Sequence, residues 1–245
     1  MNGLAILRYL SNTPSAVGVT RVARDLSLNP STCFNLLKTL VHEGLVNFDE
    51  STKTYSIGLG LVVLAKGALE LSSHARVARP YLQDIANRFR VTATLWQRIK
   101  GDRVMLVDLA DSDSTIRVHM SVGQRLPMYI AALGRCMAAA SSMTQDELRK
   151  KFAVLRWENQ PSFEDYAQSV GQAAVNGYAV DEGNYVKGVT TVSAAVLDDA
   201  SRPVMAISAV GFSAQLNKPL IQELGSFIRS RADKISSGIV GQSSR

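Results

Sequence analysis

Apolar residues recur at i, i+3, i+4 and i+7 through Val19, Val22, Ala23 and Leu26, which predicts a two-turn helix with one buried face. A second helical pattern opens at Asn29-Pro30. Asn29 suits an N-cap, and Pro30 suits the first turn because its missing N–H would have had no partner there. That helix is expected to run to about Glu43 and stop at Gly44. Cys33, Leu37, Leu40 and Val41 form its inner stripe; Ser31, Asn35, Lys38 and His42 form the outer one, with Thr32 beside them. Leu4, Leu7 and Leu10 predict an earlier helix over Gly3–Ser11, broken by Asn12-Thr13-Pro14-Ser15. Alternation in Val46-Asn47-Phe48 and Thr54-Tyr55-Ser56-Ile57, around the polar run 49–53, predicts a hairpin. Two short helices about a tight turn and then a hairpin is the order of a winged helix-turn-helix.

The run Gly58–Leu71 is too apolar for a free linker, yet it carries Lys66 and Glu70. A helix burying one face against a partner subunit would explain it, and so would a helix packed on its own domain. From Arg76 the pattern changes to an α+β unit. Helices are expected at Arg76–Phe89, Ala131–Ala140, Gln145–Phe152, Phe163–Asn176 and from Pro219 to about Ser236. Strands are expected at Thr92–Ile99, Val104–Leu109, Ile116–His119, Thr190–Leu197 and Val204–Val210. Strands joined by short turns indicate an antiparallel sheet with helices beside it.

Charge changes this picture little. The formal net charge is +6, but the basic excess is not concentrated at the front. Residues 1–66 hold Arg8, Arg21, Arg24, Lys38, Lys53 and Lys66 against Asp25, Glu43, Asp49 and Glu50, a net +2. Geometry must therefore carry the nucleic-acid reading: Ser31, Thr32, Asn35, Lys38 and His42 can reach phosphate oxygens or base edges, and Lys53 at the hairpin tip can reach the backbone. Asp49 and Glu50 argue against a tip buried deep in a groove.

The balance of 46% hydrophobic and 20% charged residues is that of a soluble globular protein. Cys33 and Cys136 have no framework spacing and read as reduced core thiols of a cytoplasmic protein. No basic–apolar–small leader pattern follows Met1, and the longest apolar runs fall well short of the ~20 residues that cross a bilayer.

Catalytic patterns are lacking. There is no nucleophile elbow or Walker loop, and Gly58-Leu59-Gly60 lacks the third glycine of a dinucleotide motif. His42, His74 and His119 are isolated, without metal-ligand spacing, so no metal or cofactor is expected. Asp111/Asp113, Asp198/Asp199 and Asp181-Glu182 fall in expected turns, where carboxylates commonly cap. An effector-independent DNA-binding protein, or a small-molecule enzyme with an incidental helix-turn-helix, are the alternatives to a ligand-responsive regulator.

The chain resembles the IclR family of bacterial transcriptional regulators along nearly its whole length. The resemblance rests on Ser31-Thr32-Cys33-Phe34-Asn35-Leu36-Leu37, Glu43-Gly44-Leu45-Val46, Tyr55-Ser56-Ile57-Gly58-Leu59 and Ala78-Arg79-Pro80-Tyr81-Leu82. Val122-Gly123-Gln124-Arg125-Leu126-Pro127-Met128, Ala132-Leu133-Gly134-Arg135, Asn176-Gly177-Tyr178-Ala179-Val180-Asp181 and Gly188-Val189 complete it. It implies a winged helix-turn-helix at 1–58, a dimerising linker helix at 59–74 and a GAF-like α/β effector-binding domain at 75–245. It also implies a homodimer or dimer of dimers on a palindromic double-stranded DNA operator, controlling a catabolic operon. By motif, the effector residues implied are Leu126, Ala132, Leu133, Asp181, Val189, Thr191, Ser208 and Val210.

Departures from the family pattern matter. Asn35 stands where Arg is frequent, Thr191 where Cys is frequent, and Val210 where some members have Ser. Ala132 replaces a Gly or Thr. With Met128, Tyr129 and Ile130 nearby, these changes point to an aromatic or alicyclic acid as effector rather than a two- or three-carbon oxoacid. The lead-in to the first helix is expected to be shorter than is usual in the family.

Overall fold

The computed structural model describes residues 2–64, 73–114 and 117–243. The chain divides into two compact units, Met1–Leu71 and Ser72–Arg245. In the first, α1 (Asn2–Ser11), β1 (Val17–Gly18), α2 (Val19–Asp25), α3 (Pro30–His42), β2 (Val46–Asp49) and β3 (Thr54–Ile57) follow in order. The ends of α3 form for the reasons legible in its residues. Asn29 Oδ1 accepts the Ser31 N–H at 2.9 Å, and Pro30 occupies the first turn. At the other end Gly44 has φ +68°, Gly44 N–H donates to Val41 O at 3.0 Å, and Leu45 N–H donates to Leu40 O at 2.9 Å. That is a Schellman stop, which needs a left-handed residue.

Cys33 and Leu37 are buried with Ile6, Leu10, Val22, Ala23, Val46 and Tyr55 in the core of this unit. Leu40 and Val41 pack at its margin. α1 differs from expectation: its buried residues are Ile6 and Leu10, an i,i+4 pair, while Leu4 is 63% exposed. A spacing of three drifts around the helix, so Leu4, Leu7 and Leu10 cannot all face inward. The unexpected β1 is two residues long, too short to alternate, and pairs with β3 to give a sheet of order β1-β3-β2.

Residues 60–64 begin a helix; residues 65–72, half of the expected linker helix at 59–74, lie outside the described residues. Gly58 and Gly60 have a packing reason. A Cβ at either would come within 2.5 Å of the Gly44 carbonyl oxygen, and Gly60 N–H donates to that oxygen at 3.0 Å. The glycines let this backbone close on the end of α3.

The second unit contains α4 (Ser73–Phe89), β4 (Thr92–Ile99), β5 (Arg103–Ala110), β6 (Arg125–Pro127), α5 (Ala131–Ala139), α6 (Gln145–Ala153), α7 (Phe163–Asn176), β7 (Ala179–Glu182), β8 (Val189–Leu197), β9 (Pro203–Phe212) and α8 (Lys218–Ser243). The strands form one antiparallel sheet of order β6-β5-β4-β9-β8-β7. Alternation divides the strand residues between two layers. Leu95, Val192, Ala194, Ile207 and Ala209 pack with Leu82 and Ile85 of α4 and with Leu224 and Ile228 of α8. Trp96, Leu106 and Ala206 pack with Leu133 and Met137 of α5, Phe152 of α6 and Tyr166 of α7.

Three readings of this unit need correction. Residues 117–120 form no strand, and Ile116 lies outside the described residues. β6 and β7 are additional short strands of three and four residues. Asp181 therefore stands within β7, paired with Thr191, rather than in a turn.

Candidate functional site

The first candidate surface is the outer face of α3. Ser31, Thr32, Asn35, Lys38 and His42 are all exposed, as is Lys53 at the hairpin tip. The Asn35 amide makes no hydrogen bond among the described residues, so its donor and acceptor remain available. The hairpin tip is ordered by Asp49, whose carboxylate accepts from Ser51 N–H at 2.8 Å, Ser51 Oγ at 2.6 Å and Thr52 N–H at 3.2 Å. Those hydrogen bonds, first the one from the Ser51 hydroxyl, hold its pKa down to about 2. Lys53 sits at φ +55°, with Nζ 5.8 Å from the centre of the Phe48 ring. Asp49 is thus a structural residue of the turn, and the exposed Lys53 cation lies over the Phe48 ring.

The second candidate is a cavity of about 230 Å³ in the other unit. Leu126, Leu133, Val189, Thr191, Ser208 and Val210 line it, all of them expected from the motifs. Register explains the convergence: Thr191 pairs with Val210 and Ser193 with Ser208, so these side chains share one face of the sheet. Trp96, Gln124, His119 and Tyr185 complete more of the wall and had not been expected. Strand alternation in β4 could have placed Trp96 on this face, but the loop residues carry no periodic signal.

Two expected residues are not on this wall. Ala132 is fully buried and its neighbour Ala131 takes the lining position. Asp181 is 1% exposed and engaged elsewhere: Arg135 Nη1 donates to its Oδ1 at 2.6 Å, and Tyr185 N–H donates to its Oδ2 at 3.0 Å. Met128, Tyr129 and Ile130 are core residues as well, absent from the cavity lining. The apolar character comes instead from Trp96, Met120, Leu133, Val186 and Val210.

Few polar groups face this space. Ser193 Oγ donates to Ser208 Oγ at 2.7 Å, leaving the Ser208 proton to donate. Trp96 Nε1 donates to Thr94 Oγ1 at 3.1 Å, and Thr94 Oγ1 donates to the Ser208 carbonyl at 3.1 Å. Thr191 Oγ1 is buried and has no partner among the described residues. An unsatisfied buried hydroxyl costs free energy that a bound acceptor would return. α5 opens on the same wall at Ala131 and Leu133, with Ile130 giving no side-chain cap. Uncapped amides and the positive end of the helix dipole favour an anion there. No Lys, Arg, Asp or Glu lines the cavity among the described residues, so hydroxyls, backbone amides and the His119 imidazole are the groups there that could meet a carboxylate.

Beside the cavity lies the buried pair itself. Arg135, 3% exposed in its side chain, also donates from Nη2 to Asn184 Oδ1 at 2.9 Å. Its guanidinium carbon is 5.5 Å from the Trp157 ring and 5.4 Å from the Tyr166 ring. Through Asp181 and the Tyr185 N–H, Arg135 on α5 fixes the loop that supplies Tyr185 and Val186 to the cavity. The Ala132-Leu133-Gly134-Arg135 motif holds a wall together as well as lining it.

Burial pushes the Cys136 thiol up to about 12, so it stays protonated. No group of three or more His, Cys, Asp or Glu residues suited to a metal occurs among the described residues. No helix among them is long and apolar enough to cross a membrane.

The sequence matches two family descriptions: the IclR helix-turn-helix domain over residues 1–50, and the bacterial transcriptional regulator IclR C-terminal region over residues 68–237. It is 26% identical over 245 residues to the HTH-type transcriptional repressor AllR of Escherichia coli K12, covering 97% of this chain and 88% of that protein. An IclR transcriptional regulator from Alicyclobacillus acidocaldarius has the same fold with TM-score 0.76 and 25% identity, covering 97% of this chain and 98% of its own. An IclR homolog from Microbacterium hydrocarbonoxydans, crystallised with 4-hydroxybenzoate, aligns with TM-score 0.76 and 18% identity over 98% of both chains. The helix-turn-helix, the six-stranded sheet and a C-terminal match spanning well over half the chain agree: the protein belongs to the IclR family of bacterial transcriptional regulators.

Proposed function

We propose that this regulator responds to a small aromatic or alicyclic carboxylic acid held in the cavity under Thr191. The observation that carries the reading is the unpartnered Thr191 hydroxyl, buried beside the uncapped start of α5 in a mostly apolar space. The α5 amides and the Thr191 and Ser208 hydroxyls would take the carboxylate, and Trp96, Leu133 and Val210 would pack the ring. A volume of about 230 Å³ is roughly eight times the ~30 Å³ share of one liquid water, enough for a compact ring. The 4-hydroxybenzoate complex of the relative with the same fold supports this ligand class.

In this account α3 lies in the major groove, with Asn35 on a base edge and Lys38 on phosphate. Two copies, joined through the helix expected at 59–74, bring two such helices about 34 Å apart onto a palindromic operator. Leu59, Val62, Val63 and Leu64 are exposed within the single chain and would be covered in the pair. Acting in the cytoplasm, the protein would govern an operon for degrading its effector. A ligand that prefers one arrangement of the pair by about 1–3 kcal/mol changes operator affinity roughly 5- to 150-fold.

Thermal-shift measurements with benzoates, alicyclic acids, pyruvate and glyoxylate test the ligand class. Stabilisation by ring-bearing acids is expected. Stabilisation by glyoxylate or pyruvate alone would defeat the proposal.

A further inference from the structure

Phe34 is the one large apolar side chain on the otherwise polar face of α3. It stands at the fifth position of the helix, next to Asn35 at the sixth, and is 49% exposed. Ser31 and Lys38 are its i−3 and i+4 neighbours, so it belongs to the same surface as the expected DNA-contacting residues. Phe48 on the hairpin makes a useful contrast. Its ring lies 4.8 Å from Tyr55 and has Lys53 above it, whereas the Phe34 ring has no aromatic or cationic partner among the described residues.

We infer that Phe34 reads the 5-methyl group of a thymine in each operator half-site, beside the adenine that Asn35 takes in two hydrogen bonds. Among the base edges of the major groove, thymine alone presents a methyl group, so an aromatic projecting there has a single apolar partner. Asn is suited to the N6 and N7 edge of adenine. Together the two adjacent side chains specify an A·T-containing step, which the exposed amide and the exposed ring each read through different chemistry. The inference rests on α3 being the groove-reading helix.

The test uses the full chain. Duplexes selected from a random pool define the preferred site, and the thymine in each half-site is then replaced by deoxyuridine, which removes only the methyl. Wild-type affinity should fall about four-fold per half-site, the effect of one buried methyl. Phe34→Ala should bind the thymine and uracil duplexes equally, and Asn35→Ala should keep the uracil response while losing its adenine preference. Phe34 is half-exposed, so its truncation leaves the fold intact, which its melting curve checks. Equal wild-type affinity for the two duplexes overturns the inference, as does an unchanged thymine-to-uracil ratio in Phe34→Ala. A change in sedimentation without a change in that ratio would assign Phe34 to a contact between copies and likewise overturn it. Failure to select any sequence would remove the groove-reading role of α3 and the inference with it.

Discussion

The outer face of α3 and the wall of the cavity are built in opposite ways. The first is a contiguous segment whose side chains point into solvent and whose geometry follows from one helix with an N-cap and a Schellman stop. The second is assembled from β4, β6, β8, β9, α5 and intervening loops, and it depends on a buried ion pair that no single segment contains. Substitutions in the two places therefore act differently. Changes on α3 should alter recognition and leave stability almost untouched, whereas changes around the cavity alter both together.

The largest expected effect is on that pair. Arg135→Met or Asp181→Leu leaves a charge buried without its partner, costing about 3–5 kcal/mol in chemical denaturation. The double apolar replacement should recover most of this loss. Two single losses that simply add would show that the residues do not act as a pair. Next in size is Asn35→Ala, which should lose about 1–3 kcal/mol of discrimination at one base pair while the melting temperature stays fixed. A uniform loss over all sequences would contradict base reading there. Lys38→Ala should instead weaken binding to every duplex and reduce the salt slope by about one, read from titrations at several ionic strengths.

Legibility follows the same division. The start and end of α3 could be read from Asn29-Pro30 and Gly44, because capping is local chemistry. The strands carrying Thr191, Ser208 and Val210 were legible in the chain pattern, but the choice of those residues came only through resemblance to the family. Asp181 was misplaced for a physical reason: whether a carboxylate faces a ligand or an arginine 46 positions earlier depends on tertiary pairing, not on its neighbours in the chain. The same holds for His119 and Tyr185, which reach the cavity from loops. β1, β6 and β7 escaped notice because two to four residues are too few to establish a period.

Thr191→Val acts on the cavity side. It keeps the volume and removes a hydroxyl that has no partner, so the unliganded protein should be as stable or more stable by about 1 kcal/mol. Calorimetry should show weaker binding of the acid, by about tenfold, the effect of one lost hydrogen bond. The smallest effect is at the hairpin tip. Asp49 has its pKa lowered from 3.8 to about 2, so its turn contributes stability that is complete above about pH 4 and is lost as the pH falls through 2. A carboxyl titration followed by NMR should give that low midpoint; a midpoint near 3.8 would mean the turn is not held in solution.

Operator binding by the full chain, titrated with and without the ring-bearing acid that stabilises it most, shows whether filling the cavity governs DNA affinity. Operator affinity of the wild type should change roughly 5- to 150-fold. Thr191→Val should bind the unliganded operator normally and respond only at about tenfold higher acid. An acid that occupies the protein yet leaves operator affinity unchanged would show that the cavity does not regulate DNA binding.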